Sequence, residues 1–291
     1  MILSPIERQI KEKIEKIGTP LKDWDIQINY GIKTGFNEAF IISGEKKAEI
    51  LANCKTEEER QKTAEIIRPL LRGRDIKRYS YEFADKYLIA TFPSRNYDID
   101  KFPAVKTFLE GFKPKLKQTG EKLTNTEIEQ VLQHAQKHGI KINESSLQKS
   151  RKKTTNKWFE TQDSISYWED FSKQKICWNR IASIKQFSLV NEDLLIQDSM
   201  HFFTGNHLLY LCAVLNSKLF RWLLSVIVGE AAGGNAGNSN NVSELNIAVP
   251  SKAVETQIGE LMLKEKYKEI DSFVYHLYNL SDEEVKLIDV Q

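Results

Sequence analysis

Residues 66–81 read IIRPLLRGRDIKRYSY, and they follow the glycine-bracketed stretch GIKTGFNEAF at 31–40. Between positions 60 and 78 stand seven basic residues (Arg60, Lys62, Arg68, Arg72, Arg74, Lys77, Arg78) and two acids, Glu65 and Asp75. That excess of +5 is concentrated in a chain whose formal total is +2. A compact cationic loop beside a glycine-rich turn suits an anionic backbone. Around this pair, short alternating stretches interleave with amphipathic, capped ones. The pattern predicts an α+β fold: mixed small sheets with peripheral helices and a helical C-terminal part.

Upstream, SPIERQIKEKIEKI (4–17) predicts a helix with Ser4 as cap, Pro5 in the first turn and Glu7 completing a capping box. DWDIQINY (23–30) alternates as a strand, Gly31 and Gly35 bracket a turn, and AFII (39–42) resumes as a strand. Two helices follow, the second with a Thr56–Glu59 capping box and closed by Pro69. Residues 75–80 and 86–92 predict strands, and 103–118 and 124–140 predict helices, with Pro114 as a kink or stop. The polar, basic segment 141–157 predicts a mobile surface loop. Short strands are expected over 175–205, then one long buried helix over 206–228 capped by Asn206. A glycine/asparagine loop, the short strand in ELNIAVP, a helical stretch at 252–277 and a last helix capped by Ser281 complete the chain.

The totals exclude several classes. The 291 residues suffice for one large domain or two smaller ones, with ordinary hydrophobic (41%) and charged (28%) content. Cys54, Cys177 and Cys212 are widely spaced and lack CxxC, which argues against a disulfide scaffold or a zinc site. His134 and His138 share a helix face, but no third ligand stands near them in sequence. No signal peptide is evident, and the apolar run 219–228 is short and broken by Arg221, so a cytoplasmic protein is expected. Charge is polarised: 101–160 carries 13 Lys/Arg against 6 Asp/Glu, and 251–291 carries 5 Lys against 9 Asp/Glu. A basic face for an anionic polymer fits this, and so does a patchy solvated surface.

The glycine loop is neither a P-loop nor a dinucleotide fingerprint; its amides suit an anion cradle, but its residues alone favour a plain hairpin turn. The arginine group suits phosphates or guanine edges, although Arg74 beside Asp75 also reads as a local ion pair and a buried structural arginine is common in such turns. Lys149, Arg151, Lys152, Lys153 and Lys157 precede Trp158-Phe159, as in backbone-tracking loops or as in a solvated loop with an aromatic anchor. Trp178, Asn179 and Arg180 end a strand, and Asn and Arg suit adenine and guanine in the major groove. Asn235, Asn238, Asn240 and Asn241 fit DNA contact and turn chemistry equally. No Pro-Pro, FxGxG, PD…ExK, GxSxG or HExxH pattern occurs, so the chain is expected to be non-catalytic, with no cofactor and no metal of its own.

Together, IKTGFNEAFII, IIRPLLRGRDIKRY, KKTTNKWFETQ, KQKICWNRI and the run LLYLCAVLNSKLFRWLL with SELNIAVP resemble a TaqI-like C-terminal specificity domain. The last run is also similar to type I specificity subunits. The lysine-rich insertion between Lys117 and Trp158 departs from the family pattern, so the resemblance does not fix the edge of a DNA cleft. The resemblance implies the target recognition domain of a type IIG-like, adenine-specific restriction–modification enzyme, with double-stranded DNA as partner. It implies an upstream methyltransferase domain, absent from this chain, that binds S-adenosylmethionine. The helix at 4–17 then reads as a connector (1–20), followed by the recognition domain (21–250) and a helical segment (251–291). The expected DNA contacts are Lys33, Thr34, Asn37, Arg72, Arg74, Arg78, Lys152, Lys153, Asn179 and Arg180. A protein-interaction module that docks a methyltransferase or nuclease partner, or a separate type I-like specificity subunit, is the alternative. An RNA-binding domain lacks a visible aromatic platform.

Overall fold

The computed structural model describes residues 3–180, 186–230 and 239–290. The chain forms two compact units: Met1–Gly31, Arg72–Glu82 and Glu169–Gln291 make the first, and Ile32–Leu71 with Phe83–Trp168 the second. The architecture is α+β, as the interleaved patterns predict.

The first unit is built on an antiparallel sheet in the order Ile26–Tyr30, Met200–Gly205, Lys175–Asn179, Phe187–Val190. Its register sets Tyr30 opposite His201 and His201 opposite Trp178. Ile176, Trp178, Phe187 and Phe203 join a core with Tyr210, Leu211, Phe220 and Tyr278 from the helical side. Fully burying each such side chain contributes about 1.5–3 kcal/mol. The Pro5–Ile17 helix starts on the expected Ser4–Glu7 capping box and buries Ile10 and Ile14. Lys13 Nζ on that helix lies 2.6 Å from the Glu284 carboxylate, which ties the first helix to Asp282–Val290.

The expected long helix over 206–228 is two helices, Leu208–Asn216 and Lys218–Glu230, bent by 65° at their junction. Asn216, the last residue of the first helix, clasps Phe187 through its side-chain amide. Its Nδ2 donates to Phe187 O at 2.7 Å and its Oδ1 accepts the Phe187 N–H at 3.0 Å. Ser217 is extended (φ −62°, ψ 157°). The cap position is His207, at a left-handed φ of 58°, rather than Asn206. Among the described residues no single helix is long and apolar enough to cross a membrane.

In the second unit Ile41–Ser43, Lys86–Ile89 and Ile67–Leu71 lie side by side, antiparallel, in that order. Helices Gly44–Ala52, Glu57–Ile66, Pro103–Glu110, Lys113–Leu116 and Asn125–Lys137 complete it. Four local expectations are corrected here. Residues Asn37–Phe40 form a helical turn, so only Ile41–Ser43 is strand. The helix from Glu57 ends at Ile66, and Pro69 lies inside the following strand, opposite Tyr87. Thr56 does cap that helix, but Glu59 accepts from the Lys55 and Ala104 amides rather than from Thr56. The glycine turn is not a hairpin, because Ile26–Tyr30 pairs with Met200–Gly205 while Ile41–Ser43 pairs with Lys86–Ile89.

Candidate nucleic-acid interface

In the first unit, Arg72, Arg74, Asn179 and Arg180 come together with Gly73, Gln197, Asp198 and Ser199 around an open polar depression. The expected strand over 75–80 is absent. Gly73–Asp75 is a 3₁₀ turn, and Ile76 and Tyr79 make only isolated bridges, to Tyr81 and Ser188. Asp75 causes this: its buried carboxylate accepts the Arg72 N–H at 2.9 Å, Arg72 Nε at 3.1 Å and Arg72 Nη2 at 2.8 Å. Asp75 therefore pairs with Arg72 and not with adjacent Arg74. The Arg72 fork is occupied, which makes it a support for the turn.

Gly73 is gripped from two sides. Its N–H donates to Ser199 Oγ at 3.2 Å, and its carbonyl accepts Asn179 Nδ2 at 2.8 Å. Arg74, between Gly73 and Asp75, is exposed and has no hydrogen bond or ion pair among the described residues. Exposed Arg180 is fixed through its backbone, N–H to Ser199 O at 3.0 Å. The triplet Gln197-Asp198-Ser199 escaped the sequence reading. Its signal is a polar interruption between the apolar runs Leu194–Ile196 and Met200–Phe203.

Arg78 is engaged elsewhere. It donates from Nε (3.1 Å) and Nη2 (2.8 Å) to Asn216 O, and its Nη2 lies 3.7 Å from Asp271. Its guanidinium therefore terminates a core helix. Tyr30, 55% exposed, sets its ring edge-on to His201 at 4.9 Å, and His201 lies 5.5 Å from Trp178.

In the second unit Lys33, Thr34 and Asn37 share a scaffold with Lys152 and Lys153. Thr34 is buried; its Oγ1 donates to Asn37 Oδ1 at 2.7 Å and accepts the Phe36 N–H at 3.1 Å. That amide is therefore not presented to an anion. Lys33 and Asn37 are exposed. The Thr34 carbonyl receives Arg151 Nη1 at 2.7 Å. Gly35 takes a left-handed φ of +79°, and a β-carbon there would stand 2.7 Å from Arg151 Cδ, so glycine is required twice over.

The segment 141–157 is thus anchored rather than loose, with Leu147 and Arg151 buried. Burial pulls the Arg151 pKa down, with Glu160 opposing that shift. Lys152 and Lys153 remain exposed. In the pair His134 and His138, His134 Nε2 lies 2.8 Å from Phe108 O and His138 Nδ1 3.1 Å from Lys46 Nζ. Among the described residues no group of three or more ligating side chains converges. Asn240 and Asn241 lie on the short helix Ser239–Ser243, while Asn235 and Asn238 fall outside the described residues.

The family profile described as TaqI-like C-terminal specificity domain matches residues 68–235. No curated protein matches. Among solved structures, the chain is similar to the type IIL restriction-modification enzyme MmeI in complex with DNA. That likeness has 10% identity and a TM-score of 0.47, and covers 92% of this chain and 35% of that one. It is also similar to the type IIG restriction endonuclease BpuSI, with 12% identity and a TM-score of 0.45, over 94% of this chain and 33% of that one. The chain spans about a third of the length of each.

Proposed function

The chain belongs to the TaqI-like C-terminal specificity domains, and on that premise we propose that it recognises a DNA target on behalf of a restriction–modification protein. The observation that carries this reading is Arg74, exposed and without a partner among the described residues, on a turn locked by Asn179 and Ser199. Base reading needs donors and acceptors on a backbone that does not yield. A guanidinium donates bidentately to guanine O6 and N7. Arg72 and Asn179 hold the turn, while Arg74 and Arg180 face outward from it.

In this reading the chemistry lies in an upstream adenine-specific methyltransferase domain. That domain binds S-adenosylmethionine and acts on an unstacked adenine. The present chain supplies the site choice. Selection of duplexes from a randomised double-stranded library tests it. One enriched motif is expected, with relaxed preference at a single position for Arg74→Ala. Recovery of duplexes without any motif would count against a recognition role.

A further inference from the structure

The second unit carries exposed lysines that base reading in the first does not use. Residues 113–123 and 146–160 together hold nine Lys/Arg and two Glu, Glu121 and Glu160. Two of these cations are directed inward. Arg151 donates to Leu116 O from Nε (2.9 Å) and Nη2 (2.8 Å), to Thr34 O (2.7 Å) and Glu160 O (2.8 Å) from Nη1, and to Trp158 O from Nη2 (2.7 Å). Lys115 Nζ donates to Ser146 O and Lys149 O, each at 2.6 Å. These partners are all backbone carbonyls, so dipoles rather than hydrogen-bonded carboxylates satisfy both buried cations.

The backbone that they hold forms a short antiparallel ladder. Gly120 N–H donates to Arg151 O (2.9 Å), Ser150 N–H to Glu121 O (2.8 Å) and Leu123 N–H to Gln148 O (3.2 Å). Lys122 and Lys149 are bridge partners across it. Like charges directly opposite one another are destabilising, and phosphate between them relieves the repulsion. Lys153 follows on the same segment, its Cβ 3.8 Å from the place a β-carbon on Gly120 would take. Lys122, Lys149, Lys152 and Lys153 are exposed, and their ammonium groups have no partner among the described residues. Neighbouring lysines are engaged: Lys117 pairs with Glu127 at 3.4 Å, and Lys157 donates to Asn96 Oδ1 at 3.1 Å.

We propose that Lys122, Lys149, Lys152 and Lys153 form a sequence-independent platform for the phosphates of duplex DNA, with Arg151 and Lys115 as its positioning residues. This rests on the reading that the chain binds DNA. Lysine is a flexible point charge, which suits successive phosphates better than base edges. Charges spread along a ladder fit an extended polyanion rather than a small one.

The test measures binding of the full chain to a duplex bearing the selected motif and to an unrelated duplex of equal length, over a salt series. Wild type is compared with Lys122→Ala/Lys149→Ala/Lys152→Ala/Lys153→Ala. The slope of log K against log salt should become shallower by roughly 3–4, at about 0.9 per phosphate, with both duplexes weakened equally. An unchanged slope, or a loss confined to the motif duplex, overturns the proposal. Arg151→Lys keeps the charge but loses the fork. With the four lysines intact it should flatten the slope too, and an unchanged slope removes Arg151 from the positioning role. Wild type that binds neither duplex would sink the DNA reading itself, a separate result.

Discussion

Asn179 Nδ2 lies 2.8 Å from the Gly73 carbonyl oxygen, and a β-carbon on residue 73 would stand 2.2 Å from Asn179 Oδ1. Position 73 therefore admits no side chain unless Asn179 or the turn moves. Gly73→Ala is expected to cost about 1–3 kcal/mol of stability through overpacking. The displaced turn carries Arg74 with it, so affinity for the motif duplex should fall by about tenfold, or ~1.4 kcal/mol. Affinity for an unrelated duplex should change little. Parallel titrations of the two duplexes check this.

Arg74→Ala removes an exposed side chain with no protein partner among the described residues, so its stability should match wild type in a thermal melt. If Arg74 reads a base edge, the variant loses about 1–3 kcal/mol of discrimination at one base pair. Binding to unrelated duplexes stays nearly constant. Equal loss on every duplex would make Arg74 a phosphate contact.

Much of the fold was legible because its signals are local. Ser4 with Glu7, Thr124 with Glu127 and Ser281 with Glu284 mark helix starts, and the structure caps helices at all three. The strands over 175–205 announced themselves by composition. The fate of each cation was far less legible. Arg78 and Arg151 look like surface charge in sequence, yet their acceptors, Asn216 O and Leu116 O, come from distant segments. Arg72 belongs with them: the sequence suggested an Arg74–Asp75 pair, whereas the tight turn brings Asp75 to Arg72. The break at Ser217 was hidden because the apolar run continues through it, and only the pairing of Asn216 with Phe187 reveals it.

Arg78→Ala should act on stability and not on recognition. It removes two hydrogen bonds to Asn216 O and leaves Asp271 without its 3.7 Å cation, at a cost of about 1–3 kcal/mol. Burial raises the Asp271 pKa, while the Lys218 N–H and Arg78 oppose that shift. A carboxyl raised in the folded state takes up its proton more readily there, so its charged form is the unfavourable one. Without Arg78 that form is worse still. The penalty should therefore be largest at neutral pH and shrink as pH falls through the Asp271 titration. Urea unfolding of wild type and variant at several pH values measures it. Motif affinity of the folded variant should be unchanged.

His201 is 2% exposed, and neither ring nitrogen has a hydrogen-bond partner among the described residues. Burial, and secondarily the Arg180 charge, pulls its pKa from 6.5 to about 4. Between those values the unfolded chain binds a proton that the folded one refuses, so stability declines as pH drops from 6.5 towards 4. At about 1.4 kcal/mol per unit the loss reaches up to ~3 kcal/mol. His201→Phe keeps an aromatic ring beside Tyr30 and Trp178 and deletes both unpartnered nitrogens. It should flatten the acid side of the stability profile while neutral-pH stability holds or rises. Urea midpoints across that window decide the matter: an equally steep acid loss in the variant would assign the transition to another group.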